Sequence, residues 1–139
     1  KEQGIVIPMI IGYNMMSKVF PTNYDRLITK QVKHGVKSSR FDKKIIFDPK
    51  KVKEINYRPG AHLSYPVFYE NNVVDPLMEL KLLHYKYLGK DYLYKKHEGY
   101  ADRMSEVSKE KRHGYEYLEG KDYINNIFDS YNYLNRVIK

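Results

Sequence analysis

The chain has 139 residues, a length that suits one domain. It carries 25 Lys and Arg against 17 Asp and Glu, a formal net charge of +8, and 42% of its residues are hydrophobic. That is a globular mixture, too apolar for an extended disordered tail. With no cysteine, a disulfide scaffold, a thiolate zinc site and a cysteine nucleophile are all excluded. No apolar run approaches the roughly 18 residues that span a bilayer. No secretory signal pattern opens the chain, and residue 1 is Lys rather than Met, so a processed product or an excised piece has to be considered. Tyr is abundant at 15, with no Trp. That fits an AT-rich coding sequence, or a surface rich in ring stacking.

Gly4 to Ile11 (GIVIPMII) reads as a buried strand, because it is short, apolar and β-branched. Pro8 marks a bulge or strand edge, and Phe20-Pro21-Thr22-Asn23 closes the segment as a turn. Thr22 or Asn23 caps a predicted helix over residues 24–33, with Leu27, Ile28 and Val32 inward and His34-Gly35 as its stop. Residues 36–42 read as a loop. Lys43 to Phe47 and Val52 to Tyr57 read as a hairpin about Asp48-Pro49. Arg58-Pro59-Gly60 turns the chain to deliver His62.

Residues 64–76, with Pro66, Asn71, Asn72 and Pro76, read as a long irregular loop. Residues 79–85 (ELKLLHY) fit a strand or the first turns of a helix. Helical spacing runs from about Lys90 to Val107, weakened at Gly99. A short polar helix restarts at Ser108 and stops at His113-Gly114. Asp122 then caps a final helix with the stripe Ile124, Ile127, Phe128, Tyr131, Leu134 and Ile138. Strands first and helices afterwards predict an α+β fold, or the second half of a larger α/β unit.

No phosphate-binding glycine loop, GxSxG elbow, HExxH site or DxD pair occurs. Nothing in the chain alone therefore supplies paired carboxylates for a divalent cation. Of five histidines, His97 and His113 sit in charged helical sequence and read as solvated, and His34 as a helix terminus. His62 follows a turn at a strand end, and His84 emerges from an apolar element beside Lys86. Each suits a structural histidine, or a neutral imidazole ligand for an ion of the Mn or Zn class. Lys86 suits a phosphate oxygen as a point charge. The lysines spread along the chain fit solvated faces, or a nucleic-acid or anionic-membrane surface. No recognised nucleic-acid motif accompanies them.

Six segments, in order, resemble a bacterial group of glycosyltransferase family 2. Gly12 to Ser17 with Phe20-Pro21 resembles "GYxM(I/V)S…FP", and Asp42-Lys43 with Phe47-Asp48-Pro49 resembles "(D/S)K…F(N/D)P". Ile55 to His62 resembles "INYxPGCH", with Ala61 in place of Cys. Leu82 to Gly89 with Tyr92 resembles "LLHYKxLGxxY". Tyr100 to Ser105 resembles "YAxRLS", and Gly114 to Tyr117 resembles the "GWGxHY" end. Lys18 stands where relatives often carry an acid.

The resemblance covers about residues 10–118 and implies a GT-A-type transferase. Such an enzyme moves a sugar from a nucleotide diphosphate donor to a glycan or lipid-linked acceptor in surface-polysaccharide synthesis, with Mn or Mg. It implies the acceptor-side C-terminal part over residues 1–118 and a C-terminal helix over 119–139, with the DxD-bearing nucleotide half upstream. By resemblance His84 is the favoured late metal ligand and His62 the second candidate. Lys86 would face the diphosphate, and Arg103 would hold its helix or meet phosphate. The catalytic base is unassigned, with Asp25, Asp42 and Asp75 as candidates. The implied setting is cytoplasmic, with peripheral membrane contact and self-association among the expectations and no nucleic-acid partner. The competing reading from charge and Tyr content is a small basic module binding nucleic acid or an anionic membrane.

Overall fold

The computed structural model describes residues 6–58, 61–70, 75–130 and 134–139, with backbone alone for 75–78. The order of elements is β1 (Pro8–Ser17), α1 (Ile28–Gln31), β2 (His34–Lys37), β3 (Val52–Glu54), β4 (Val67–Phe68), β5 (Asp75–Leu88), α2 (Lys90–Ala101), α3 (Glu106–Glu110), α4 (Gly120–Asp129) and β6 (Asn135–Arg136). The fold is α+β, as the element order predicts. Four strands lie in the order β5-β1-β2-β6, and β3 pairs with β4 in a second, two-stranded sheet. Among the described residues no helix is long and apolar enough to cross a membrane.

The chain divides into two compact units. The first comprises Lys1–Asn14 and Lys37–His84, the second Met15–Val36 and Tyr85–Lys139. In the first, Val6, Ile7 and Val52 are buried together, with Phe47, Ile55 and Phe68 packed on them. The Asp48 amide donates to the Val6 carbonyl at 2.9 Å, which brings Phe47 to this cluster. The predicted 43–57 hairpin does not form. Residues 43–47 stay irregular, with the Ile45 amide donating to the Lys43 carbonyl two residues back, as in a γ-turn. Val52 instead pairs antiparallel with Phe68, so the hairpin partner comes from the region read as loop. The turn at Pro59-Gly60 and the asparagines at 71 and 72 lie outside the described residues, as do Gly4 and Ile5 of the opening run.

In the second unit, Met15, Met16, Val32, Leu88, Leu93, Ile124 and Val137 form the buried apolar set. Residues 79–85 are strand within β5. Gly89 then caps α2 with φ 75°, and a Cβ there would lie 2.5 Å from the Phe20 backbone nitrogen. Only glycine meets both demands. The helix predicted over 90–107 breaks after Ala101. Ser105, rather than Ser108, opens α3, its Oγ accepting the Ser108 amide at 3.2 Å.

Two further expectations are corrected. The helix predicted over 24–33 shrinks to the single turn of α1, and His34-Gly35 opens β2 instead of ending a helix. Leu27 and Ile28 point to solvent, at 72% and 37% exposure, while Val32 is buried at 2%. The final helix runs only from Gly120 to Asp129, so Glu119 rather than Asp122 is its N-cap. Beyond it, β6 pairs with β2 in the register His34↔Arg136. Leu134 and Ile138 therefore do not extend the helical stripe, and Tyr131 lies outside the described residues.

Candidate functional site

The first unit gathers residues that are far apart in sequence. Gly12 in β1 lies against the backbone of Phe41, and a Cβ at position 12 would sit 2.5 Å from the Phe41 carbonyl carbon. Two hydrogen bonds hold this contact: the Gly12 amide donates to Asp42 Oδ1 at 2.7 Å, and the Ser38 amide donates to the Gly12 carbonyl at 2.9 Å. With its backbone fixed so, Phe41 presents its ring to both candidate histidines. The His84 ring lies 4.0 Å from it, centroid to centroid and tilted by 34°, and the His62 ring meets it edge-on at 6.1 Å.

Each imidazole is oriented through Nδ1. His62 Nδ1 donates to the Arg40 carbonyl at 2.6 Å, since a carbonyl oxygen only accepts. His84 Nδ1 lies 2.9 Å from Asn14 Oδ1. With the Asn14 amide assigned this way, Nδ1 is again the donor. In the neutral rings both lone pairs then belong to Nε2. A histidine bound to a metal through Nε2 carries its Nδ1 proton in the same way, on a carbonyl or carboxylate. His84 is half-buried and His62 exposed. Among the described residues no group of three or more His, Asp or Glu side chains is placed to hold a metal ion. Among the described residues, then, the two imidazoles share the Phe41 ring but belong to no complete metal site. Asp42, a candidate base, already binds the Gly12 amide, and Asp25 lies exposed in the second unit.

The other two expected site residues belong to the second unit. Lys86 Nζ lies 3.3 Å from Glu116 Oε1, with both side chains about four-fifths buried at 22% and 20% exposure. Burial pushes the Glu116 carboxyl up, but the backbone hydrogen bond and the Lys86 charge outweigh it, and the net shift is below the usual carboxylate value. Arg103 Nε donates to the Gly99 carbonyl at 2.7 Å, and its guanidinium lies 5.2 Å from the Tyr100 ring centre. It therefore holds the end of α2, one of its two expected roles.

His97, read as solvated, is 4% exposed. It packs edge-on to Tyr117 at 4.9 Å and stacks near Tyr123 at 6.1 Å, and its buried Nδ1 has no hydrogen-bond partner among the described residues. Burial holds its pKa below the usual value, against the opposing pull of the Glu116 backbone. The signal was present in sequence as the i, i+4 ladder Leu93, His97, Ala101, obscured by the lysines on either side. A cavity of about 240 Å³ adjoins this ring, walled by Tyr94, Tyr117 and Ile124. Asn14 and Phe41, which orient the two histidines of the first unit, had no sequence signal of their own.

Comparison of the chain with protein-family models, with curated proteins and with solved structures finds no match.

Proposed function

We propose that the chain is the acceptor-side, C-terminal part of a nucleotide-sugar-dependent glycosyltransferase, similar to the bacterial family 2 enzymes its motifs resemble. One observation carries the reading: five of the six resembling segments touch another directly, and the one ending in His62 reaches His84 through the Phe41 ring. In the first unit Gly12 binds Asp42, Asn14 binds His84, and the Phe41 ring beside Asp42 takes both His62 and His84. In the second, the Phe20 ring packs tilted against Tyr92 at 4.4 Å, Lys86 pairs with Glu116, and Tyr100 stacks on Tyr117 at 4.8 Å. Segments matched one by one have no reason to meet in space unless they serve a common construction.

In this reading His84 and His62 would help hold a divalent cation together with carboxylates of the DxD-bearing half. When bound, the ion neutralises charge that builds on the leaving nucleoside diphosphate. The chain's own residues orient the imidazoles through Nδ1, hold Lys86 on β5 against Glu116 and hold Arg103, just past the end of α2, on the Gly99 carbonyl.

Manganese titration tests this. In a proton spectrum, substoichiometric Mn²⁺ should broaden the His62 and His84 ring signals before those of the exposed His34 and His113. His84→Ala should remove the preference. Uniform broadening of all histidines would sink the metal role. The chain alone should turn over no nucleotide sugar. Joined to the DxD half, the His84→Ala variant should lose most metal-dependent transfer.

A further inference from the structure

We propose that residues 18–33 of the second unit form a docking surface for an anionic lipid bilayer. The inference stands on observations separate from the glycosyltransferase reading. Seven successive residues, 22–28, are exposed. Val19 is 72% exposed, Tyr24 88% and Leu27 72%, with Ile28 beside them at 37%. The same stretch carries Lys18, Arg26, Lys30 and Lys33 against the single acid Asp25.

These apolar tips are held outward by the local construction. Gln31 Nε2 donates to the Asn23 carbonyl at 2.8 Å and to the Arg26 carbonyl at 2.7 Å, clamping the loop from within. Asn23 Oδ1 accepts the Asp25 amide at 3.2 Å, closing an Asx turn. At the base the Phe20 ring packs tilted against Tyr92, and Val32 is buried. With the Asn23 and Arg26 carbonyls and the Asp25 amide bonded within it, the loop presents Leu27, Val19 and Tyr24 to solvent. Leu27 and Val32 flank the single turn of α1 five residues apart, which sets them on different sides of it; Val32 goes in and Leu27 goes out.

Aliphatic and tyrosyl tips ringed by cations match the chemistry of a bilayer interface. Leucine and valine enter the acyl boundary, tyrosine sits at headgroup level, and lysine and arginine meet lipid phosphates. Nucleic acid explains the cations but gives Val19 and Leu27 nothing to do. It engages flat rings and charges rather than exposed aliphatic side chains.

The test is co-sedimentation of the 139-residue chain with vesicles. It should pellet with vesicles of equimolar phosphatidylglycerol and phosphatidylcholine and stay in solution with phosphatidylcholine alone. Lys30→Gln should weaken partitioning about fivefold. Leu27→Asp should weaken it about tenfold or more. Both side chains are solvent-facing, so thermal melts should match the wild type and exclude misfolding. Failure to pellet with anionic vesicles at low salt would overturn the proposal, as would Leu27→Asp pelleting like wild type. In a parallel arm, the chain is titrated into a labelled RNA oligonucleotide. Binding lost in Lys30→Gln and in Leu27→Asp alike would reassign the surface to nucleic acid and overturn the bilayer reading.

Discussion

Replacing Gly12 by Ala should damage the first unit more than its size implies. The added Cβ would lie 2.3 Å from Phe41 Cβ, 2.5 Å from its carbonyl carbon and 2.7 Å from its Cα. Two of these three atoms are backbone, so no rotamer change relieves the overlap and the segment around Phe41 has to move. Overpacking of this kind costs about 1–3 kcal/mol. The displacement also stretches the Gly12 hydrogen bonds to Asp42 and Ser38, at about 1 kcal/mol each. A total of about 3–5 kcal/mol would lower Tm by about 10–15 °C in a chain of this length. Urea denaturation followed by circular dichroism measures it. Gly120→Ala is the control: with φ +63° and nothing within 4 Å of its Cβ, it meets only backbone strain, about 1 kcal/mol. The clash argument is refuted if Gly12→Ala unfolds within about 0.5 kcal/mol of wild type, or costs less than Gly120→Ala. The His84 ring signals should shift in Gly12→Ala and stay put in Gly120→Ala, since Phe41 moves only in the first.

Three other outcomes can be checked. The folded Glu116 carboxyl titrates below its ordinary value of 4.5, so its contribution to stability is complete above that pH and is lost as pH falls through the depressed folded value; Lys86→Met should flatten this acid limb in pH-dependent melts. His97 titrates below its ordinary 6.5 in the folded state, so its neutral form supports the fold above that pH, and support drains away as acid protonates the unfolded chain first. His97→Phe keeps the ring between Tyr117 and Tyr123 while removing the unpartnered Nδ1, and should melt no lower than wild type at about pH 7.5 and lose the extra pH dependence down to about pH 5.5. Gln31→Ala should raise hydrogen exchange at residues 23–26 with little change in global stability, because it opens the clamp and touches no core residue; unchanged exchange there would show that the clamp does not hold the loop.

Local periodicity carried the sequence reading where the chain's own neighbours decide structure. The stripe Ile124, Ile127, Phe128 is a true helical face, and Gly89 and Gly114 stand where helical segments meet turns. The reading failed where distant pairing decides. Leu134 and Ile138 keep the helical phase of that stripe, yet pairing of β6 with β2 takes the segment into a sheet. KKIIF has strand composition, but Phe68 takes the partner position beside Val52 and leaves Ile45 and Ile46 about half exposed. In the candidate site, His62 and His84 were legible as imidazoles leaving turns and apolar runs. Their orienting partners were not, because an asparagine amide, a phenyl ring and the Arg40 carbonyl acquire meaning only once the backbone brings them near.

Phe41 touches both imidazoles, and this makes His62 and His84 energetically dependent on each other. Displacing one ring would tilt the phenyl face on which the other leans, so a change at one histidine would alter the posture of the second through Phe41. Truncating either histidine also loosens the side chain supporting its neighbour. A double-mutant cycle on the pair should therefore be non-additive, and the excess should vanish once Phe41 is reduced to alanine. A single ring acts here as the balance beam of two titratable groups.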